Sequence, residues 1–131
     1  TLAAIESGIV VGGGMIFLRA SKFLETRPEN LTEDNLIGYR IVKDALEAPI
    51  RQILINSGLE HSVIINEIKK TNYEMGYNAV TNNYTDLIKD GVIDPAKVSI
   101  SALKNAGSIA GLVLTTECLV VEDTLDAKAG N

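Results

Sequence analysis

The sequence predicts a mainly α fold, a helical bundle carrying a small β-hairpin and a C-terminal strand, on three observations. Apolar residues recur every three to four positions over most of the chain. Residues 71–85 break that rhythm with asparagines, a glycine and tyrosines. Only 5% of residues are aromatic and Trp is absent, so the core must be filled by Ile, Leu, Val and Ala, which suits helices packed at short range. With 131 residues, 46% of them hydrophobic, one domain with its own core is the expectation.

Residues 15–24 place Ile16, Phe17, Leu18, Ala20, Phe23 and Leu24 at helical spacing, with Arg19 and Lys22 on the remaining face, directly after Gly12-Gly13-Gly14. The polar run that follows contains Pro28 and reads as a surface loop. Thr32 is the next N-cap, with Glu33 and Asp34 beside the positive end of the helix dipole. Leu36, Ile37, Ile41, Val42, Ala45, Leu46, Ile50, Ile53 and Leu54 predict one long helix, kinked at Pro49 and closed by a left-handed Gly58. A shorter helix over 62–70 buries Val63, Ile64 and Ile68.

Within residues 71–85, Asn72, Gly76, Asn78, Asn82 and Asn83 are turn formers, while Tyr73, Tyr77, Val80 and Tyr84 suit two short strands around an Asn82-Asn83 turn. Residues 86–89 add a helical turn before Gly91. Asp94 reads as an N-cap with Pro95 at the first helical position, opening a long helix toward Thr115. Its buried stripe is Val98, Ala102, Ala106, Ile109 and Val113, and Gly107 and Gly111 admit another backbone. Residues 118–122 read as a final strand with Cys118 inert in it, and 124–131 as a loose tail.

Twelve Lys and Arg against 17 Asp and Glu give a net charge of −5, which argues against a grip on nucleic-acid phosphates or an anionic membrane. A lone Cys118 and a lone His61 provide neither a disulfide framework nor a Cys/His metal site. Unbroken apolar runs such as 112–114 and 119–121 are far too short to cross a bilayer, and Glu6 rather than a basic segment precedes the apolar residues at 9–11. The expectation is a soluble, intracellular protein.

Three short turn elements point to one composite binding site. Gly12-Gly13-Gly14 lets a helix N-terminus approach a ligand with no side chain between them, yet it fits neither the P-loop nor the dinucleotide spacing and also suits a packing turn. Asn78 offers an amide that can both donate and accept, as a base edge requires, and equally suits a hairpin residue bonding its own backbone. Asp94 can accept from ribose hydroxyls, and helix capping alone also explains it. None of these is a nucleophile, a metal cluster or an acid/base pair.

Five segments in order carry a family resemblance: Glu6-Ser7-Gly8-Ile9-Val10-Val11-Gly12-Gly13-Gly14, Glu47-Ala48-Pro49-Ile50-Arg51-Gln52-Ile53, Gly76-Tyr77-Asn78-Ala79, Gly91-Val92-Ile93-Asp94-Pro95-Ala96-Lys97-Val98, and Leu114-Thr115-Thr116-Glu117-Cys118. Together they resemble the C-terminal part of group I chaperonins, the large heat-shock chaperonins of bacteria, mitochondria and chloroplasts, over Thr1 to about Glu122. The resemblance implies the second half of the ATP-binding equatorial domain. Gly13 would contact nucleotide through its backbone, Asn78, Ala79 and Val80 would line the adenine pocket, and Asp94 would bond the ribose. Val80 departs from the small residue often found at that place, and the glycine-rich tail repeats of bacterial members are absent.

The resemblance further implies ATP with Mg, whose ligands fall outside this segment together with the phosphate loop and the Asp that activates water. It also implies a heptameric double ring, a small co-chaperonin, non-native polypeptide clients, and a location in the bacterial cytoplasm, mitochondrial matrix or chloroplast stroma. Roughly 3 to 6 kcal/mol from three hydrogen bonds would not cover an association cost of about 4 to 15 kcal/mol, so the segment alone is expected to be inactive. Its unpartnered apolar faces predict self-association. The competing expectation is a free-standing helical interaction module without nucleotide binding.

Overall fold

A computed structural model of the chain describes residues 1–26 and 29–116. Pro28, Cys118, the expected strand over 118–122 and the tail over 124–131 lie outside the described residues. Two compact units divide the chain, the first Thr1–Ser99 and the second from Ile100 onward. The elements are α1 (Leu2–Ser7), β1 (Ile9–Val11), α2 (Met15–Phe23), α3 (Glu33–Ala45), α4 (Ala48–Asn56), α5 (His61–Lys69), β2 (Met75–Asn78), β3 (Asn83–Asp86), β4 (Ile93–Pro95) and α6 (Ala96–Thr115).

The mainly α class and the hairpin are as predicted. Strands β2 and β3 pair antiparallel, with Tyr77 opposite Tyr84 and their rings edge to face at 5.0 Å, so these tyrosines stabilise the hairpin by packing. The turn lies over 79–82 rather than at Asn82-Asn83: Asn82 has φ 54°, Asn83 opens β3, and Tyr73 and Val80 fall outside both strands. A second sheet, β1 antiparallel to β4, was not predicted: each strand is only three residues long, and its partner is more than eighty residues away. Such pairing leaves no local periodicity to read.

The core of the first unit is built from Val11, Met15 and Leu18, from Ile50 and Leu54 of α4, from Ile64, Ile65 and Ile68 of α5, and from Leu87. Ile65 is buried and Val63 is exposed, a shift of the predicted face by part of a turn. The capping expectations for α3 and the end of α4 hold. Thr32 Oγ1 accepts from Asn35 N, Gly58 has φ 71°, and Leu59 N closes onto Leu54 O.

Three expectations are corrected. The long helix around Pro49 is two helices, α3 and α4, because Pro49 sits in the first turn of α4, where its missing N–H leaves no bond unmade. Arg19, expected on the outer face of α2, is 6% exposed. Asp94 and Pro95 belong to β4 rather than to the start of α6, which begins at Ala96.

Helix α3 buries none of its residues, and Ile37 and Ile41 stand exposed. The predicted stripe of α6 is exposed as well, Val98, Ile109 and Val113 among it, whereas Ser99 is buried. The 20 residues of α6, with a mean hydropathy of 1.3 in their most apolar 18-residue window, are long and apolar enough to cross a membrane. Ser, Lys and Asn interrupt the helix, so no unbroken apolar run marks it in the sequence. Its first turn is folded into the first unit, where Lys97 Nζ pairs with Glu6 at 2.9 Å.

Candidate nucleotide-contacting site

The three glycines after β1 serve different purposes. A Cβ on Gly12 would meet Ile93 N at 3.0 Å, and one on Gly14 would meet Ile50 N at 2.8 Å, so both are required by close packing. Gly14 also has φ 76° as the N-cap of α2. Gly13 is different: its φ of 63° favours glycine, while an added Cβ would meet only Val92 Cγ1 at 3.7 Å. The packing account therefore covers Gly12 and Gly14, and Gly13 is the member of the triplet with open space beside its backbone.

Strand β1 leads into this turn, and β4 lies against β1 in the register Val10 with Asp94 and Val11 with Ile93. Gly12 N donates to Val92 O at 2.9 Å, extending the pairing up to the glycine turn. Asp94 thus lies in β4, and Gly13 follows two residues after the end of its partner strand β1. Asp94 is half-buried and lines a concavity of about 200 Å³ with Thr1, Ala4, Ile9, Ile93 and Pro95.

The start of α6 does not occupy Asp94. Ala96 N donates to Gly8 O at 3.0 Å and Lys97 N to Ser7 Oγ at 3.0 Å, so the first N–H groups of α6 are satisfied from the end of α1. Among the described residues the Asp94 carboxylate takes no hydrogen bond or ion pair, and it remains available as an acceptor. Ser7 is a residue that sequence reasoning missed, since nothing local marks a cap supplied from ninety positions away.

At the hairpin tip, Asn78 is 8% exposed. Its Oδ1 accepts from Val80 N at 3.0 Å and Thr81 N at 3.3 Å, and its Nδ2 donates to Asp90 Oδ2 at 3.1 Å. The amide expected to read a base edge is thus largely engaged within the chain, in the manner of a turn-holding residue. Ala79 is half-buried and Val80 is 92% exposed. The bond to Asp90 ties the tip to residues 87–92, where Val92 N donates to Leu87 O at 2.8 Å and Val92 O accepts from Gly12 N at 2.9 Å. Hydrogen bonds within the first unit therefore join Asn78 to Asp90 and Val92 to Gly12, the residue before Gly13.

Arg19 is the other residue missed. Its Nη1 donates to Ile68 O and Thr71 O, and its Nη2 to Thr71 Oγ1 and Met75 O, at 2.7 to 3.1 Å, while among the described residues Nε has no partner. Burial pulls its pKa below the ordinary arginine value, a shift partly countered by Tyr73. The guanidinium gathers carbonyls in the last turn of α5 and just after it, where partial negative charge accumulates. A concavity of about 410 Å³ beside it, between Phe23 and Tyr73, is lined by none of the predicted site residues. Among the described residues no three His, Cys, Asp or Glu side chains are grouped to hold a metal ion.

A helical unit with two small antiparallel sheets, a glycine turn and an open carboxylate on one of them has the fold of a chaperonin equatorial-domain fragment. The crystal structure of a group III chaperonin in the open state matches 90% of the chain with a TM-score of 0.80 and 31% sequence identity. Residues 1–124 match the TCP-1/cpn60 chaperonin family, and the chain belongs to it. The chain spans 25% of the length of the group III chaperonin chain.

Proposed function

We propose that the chain is the C-terminal part of the equatorial domain of a group I chaperonin, an ATP-hydrolysing machine that assists the folding of non-native polypeptides. In this reading it supplies adenosine-side nucleotide contacts and inter-subunit contacts within a double heptameric ring that works with a small co-chaperonin. The observation that carries it is the pairing of Val10 with Asp94, which joins the strand leading into the Gly13 turn to the strand that carries a carboxylate without a partner among the described residues.

ATP, when bound, supplies the phosphoanhydride bond whose hydrolysis drives the cycle. Gly13 lets the nucleotide approach the backbone without a side chain between them. Asp94 accepts from a ribose hydroxyl, and a charge-assisted bond of this kind is about twice as strong as a neutral one. Asn78 holds the 79–82 turn, so that Ala79 and Val80 line the base pocket. Mg ligands and the residue that activates water are assigned to parts of the protein beyond residues 1–131.

The experiment is nucleotide titration of the full-length protein. Asp94→Ala should weaken ATP binding by about tenfold, the equivalent of roughly 1.4 kcal/mol. Unchanged affinity would remove the ribose role.

A further inference from the structure

The contact between Asn78 and Asp90 contains more than a turn. Resting on the nucleotide role proposed above for the hairpin tip, we propose that Asp90 is a positioning residue of the base pocket, which acts by fixing the amide of Asn78. Asn78 is buried, and its side-chain oxygen faces two N–H donors, from Val80 and Thr81. Its nitrogen faces the Asp90 carboxylate at 3.1 Å.

Reversing the amide would set its NH2 against two donors and its oxygen against a carboxylate, so Asp90 and the turn together admit only one orientation. In that orientation the carbonyl is spent on the turn. The one group of Asn78 left over is the second N–H, a donor. The segment can therefore offer a purine a donor from Asn78, directed at a ring-nitrogen acceptor, but no acceptor from this amide toward an exocyclic amino group. Discrimination of the amino group must come from main chain or from elsewhere in the protein.

Asp90 is suited to this work. It is exposed and its N–H is bonded to Asp86 O at 3.0 Å, so the main chain of the 86–90 turn holds the carboxylate in place without the core depending on its side chain. Asp90→Ala would release the amide to rotate and would loosen the 79–82 turn. Asp90→Asn retains a carbonyl that can accept from Asn78 Nδ2 and should rescue.

The test is a double-mutant cycle on the full-length protein, titrating ATP and, in parallel, ribose triphosphate, which lacks a base. Asp90→Ala should weaken ATP binding by about fivefold, Asp90→Asn by less than about twofold, and neither should change the affinity for ribose triphosphate. In an Asn78→Ala background, Asp90→Ala should have no further effect on ATP. Equal losses with and without Asn78, equal losses for ATP and ribose triphosphate, or an unchanged Asp90→Ala would overturn the positioning role. If the unsubstituted protein binds ATP no better than ribose triphosphate, the base-pocket assignment of the hairpin fails instead, a result distinct from the others.

Discussion

Arg19 holds Thr71 twice, with Nη1 donating to the Thr71 carbonyl at 3.0 Å and Nη2 to its hydroxyl at 2.9 Å. These bonds fasten α2 to the end of α5 and, through Met75 O, to the first strand of the hairpin. The bonded partners are carbonyls and a hydroxyl rather than a carboxylate, so the charge is met there by dipoles. Arg19→Met leaves several carbonyls without donors in a buried place and should cost at least about 2 kcal/mol. Arg19→Lys cannot reach the same set and should rescue only in part. Thermal denaturation of the two variants measures this, and a melting temperature unchanged in Arg19→Met would contradict it.

The glycines of the turn should separate in their effects. Gly14→Ala forces a Cβ to within 2.8 Å of Ile50 N at a left-handed φ, and strain plus overpacking should cost about 3 kcal/mol or more. Gly13→Ala meets only an ordinary contact with Val92 Cγ1 and should cost about 1 to 2 kcal/mol, from its left-handed φ. Its larger effect should fall on ATP affinity, because the methyl stands where the ligand would approach. Melting curves and nucleotide titrations of the same two variants give both comparisons.

Stability and binding should also divide between Ser7 and Asp94. Ser7 Oγ accepts from Lys97 N and donates to Ala3 O at 2.7 Å, so Ser7→Ala should destabilise by about 1 kcal/mol. Asp94→Asn removes no bond seen among the described residues and should alter stability by less than about 0.5 kcal/mol while reducing nucleotide affinity. A large stability loss in Asp94→Asn would show that the carboxylate has a structural partner.

Asp86 supplies a pH dependence. Its Oδ1 accepts from Ile88 N and Lys89 N, both at 3.1 Å, and the backbone bond from Lys89, foremost among the causes, holds its pKa below the ordinary aspartate value of 3.8. A carboxyl with a depressed folded pKa contributes stability above its unfolded value and loses it as pH falls through the folded one. The gap in melting temperature between the unsubstituted protein and Asp86→Ala should be constant from neutral pH down to about 5 and should narrow below about 4. A gap that widened on acidification would reverse the assignment.

What the sequence revealed and what it hid follow one physical division. Thr32, Gly58 and the 71–85 hairpin were legible because caps and tight turns are determined within a few residues. The β1–β4 sheet, the Ser7 cap and the burial of Arg19 were not, since each depends on a partner roughly fifty to ninety positions away. Pro49 was read correctly as a disturbance and incorrectly as a kink, because only the geometry shows that a new helix starts around it. At the candidate site, the glycine triplet and Asp94 stood out as turn elements, while the roles proposed for Gly13 and Asp94 came from the family resemblance. Local spacing gave no hint that Asp90 would take up the Asn78 amide.

The bond from Lys97 N to Ser7 Oγ has a consequence for the order of assembly. Because α6 takes its first donors' partners from the opposite end of the first unit, its opening turn cannot be completed until the chain has looped back across ninety residues. Closing so long a loop is slow compared with winding a helix. Ser7 Oγ and Gly8 O therefore gain these two donors only once residues 96 and 97 have docked against the end of α1.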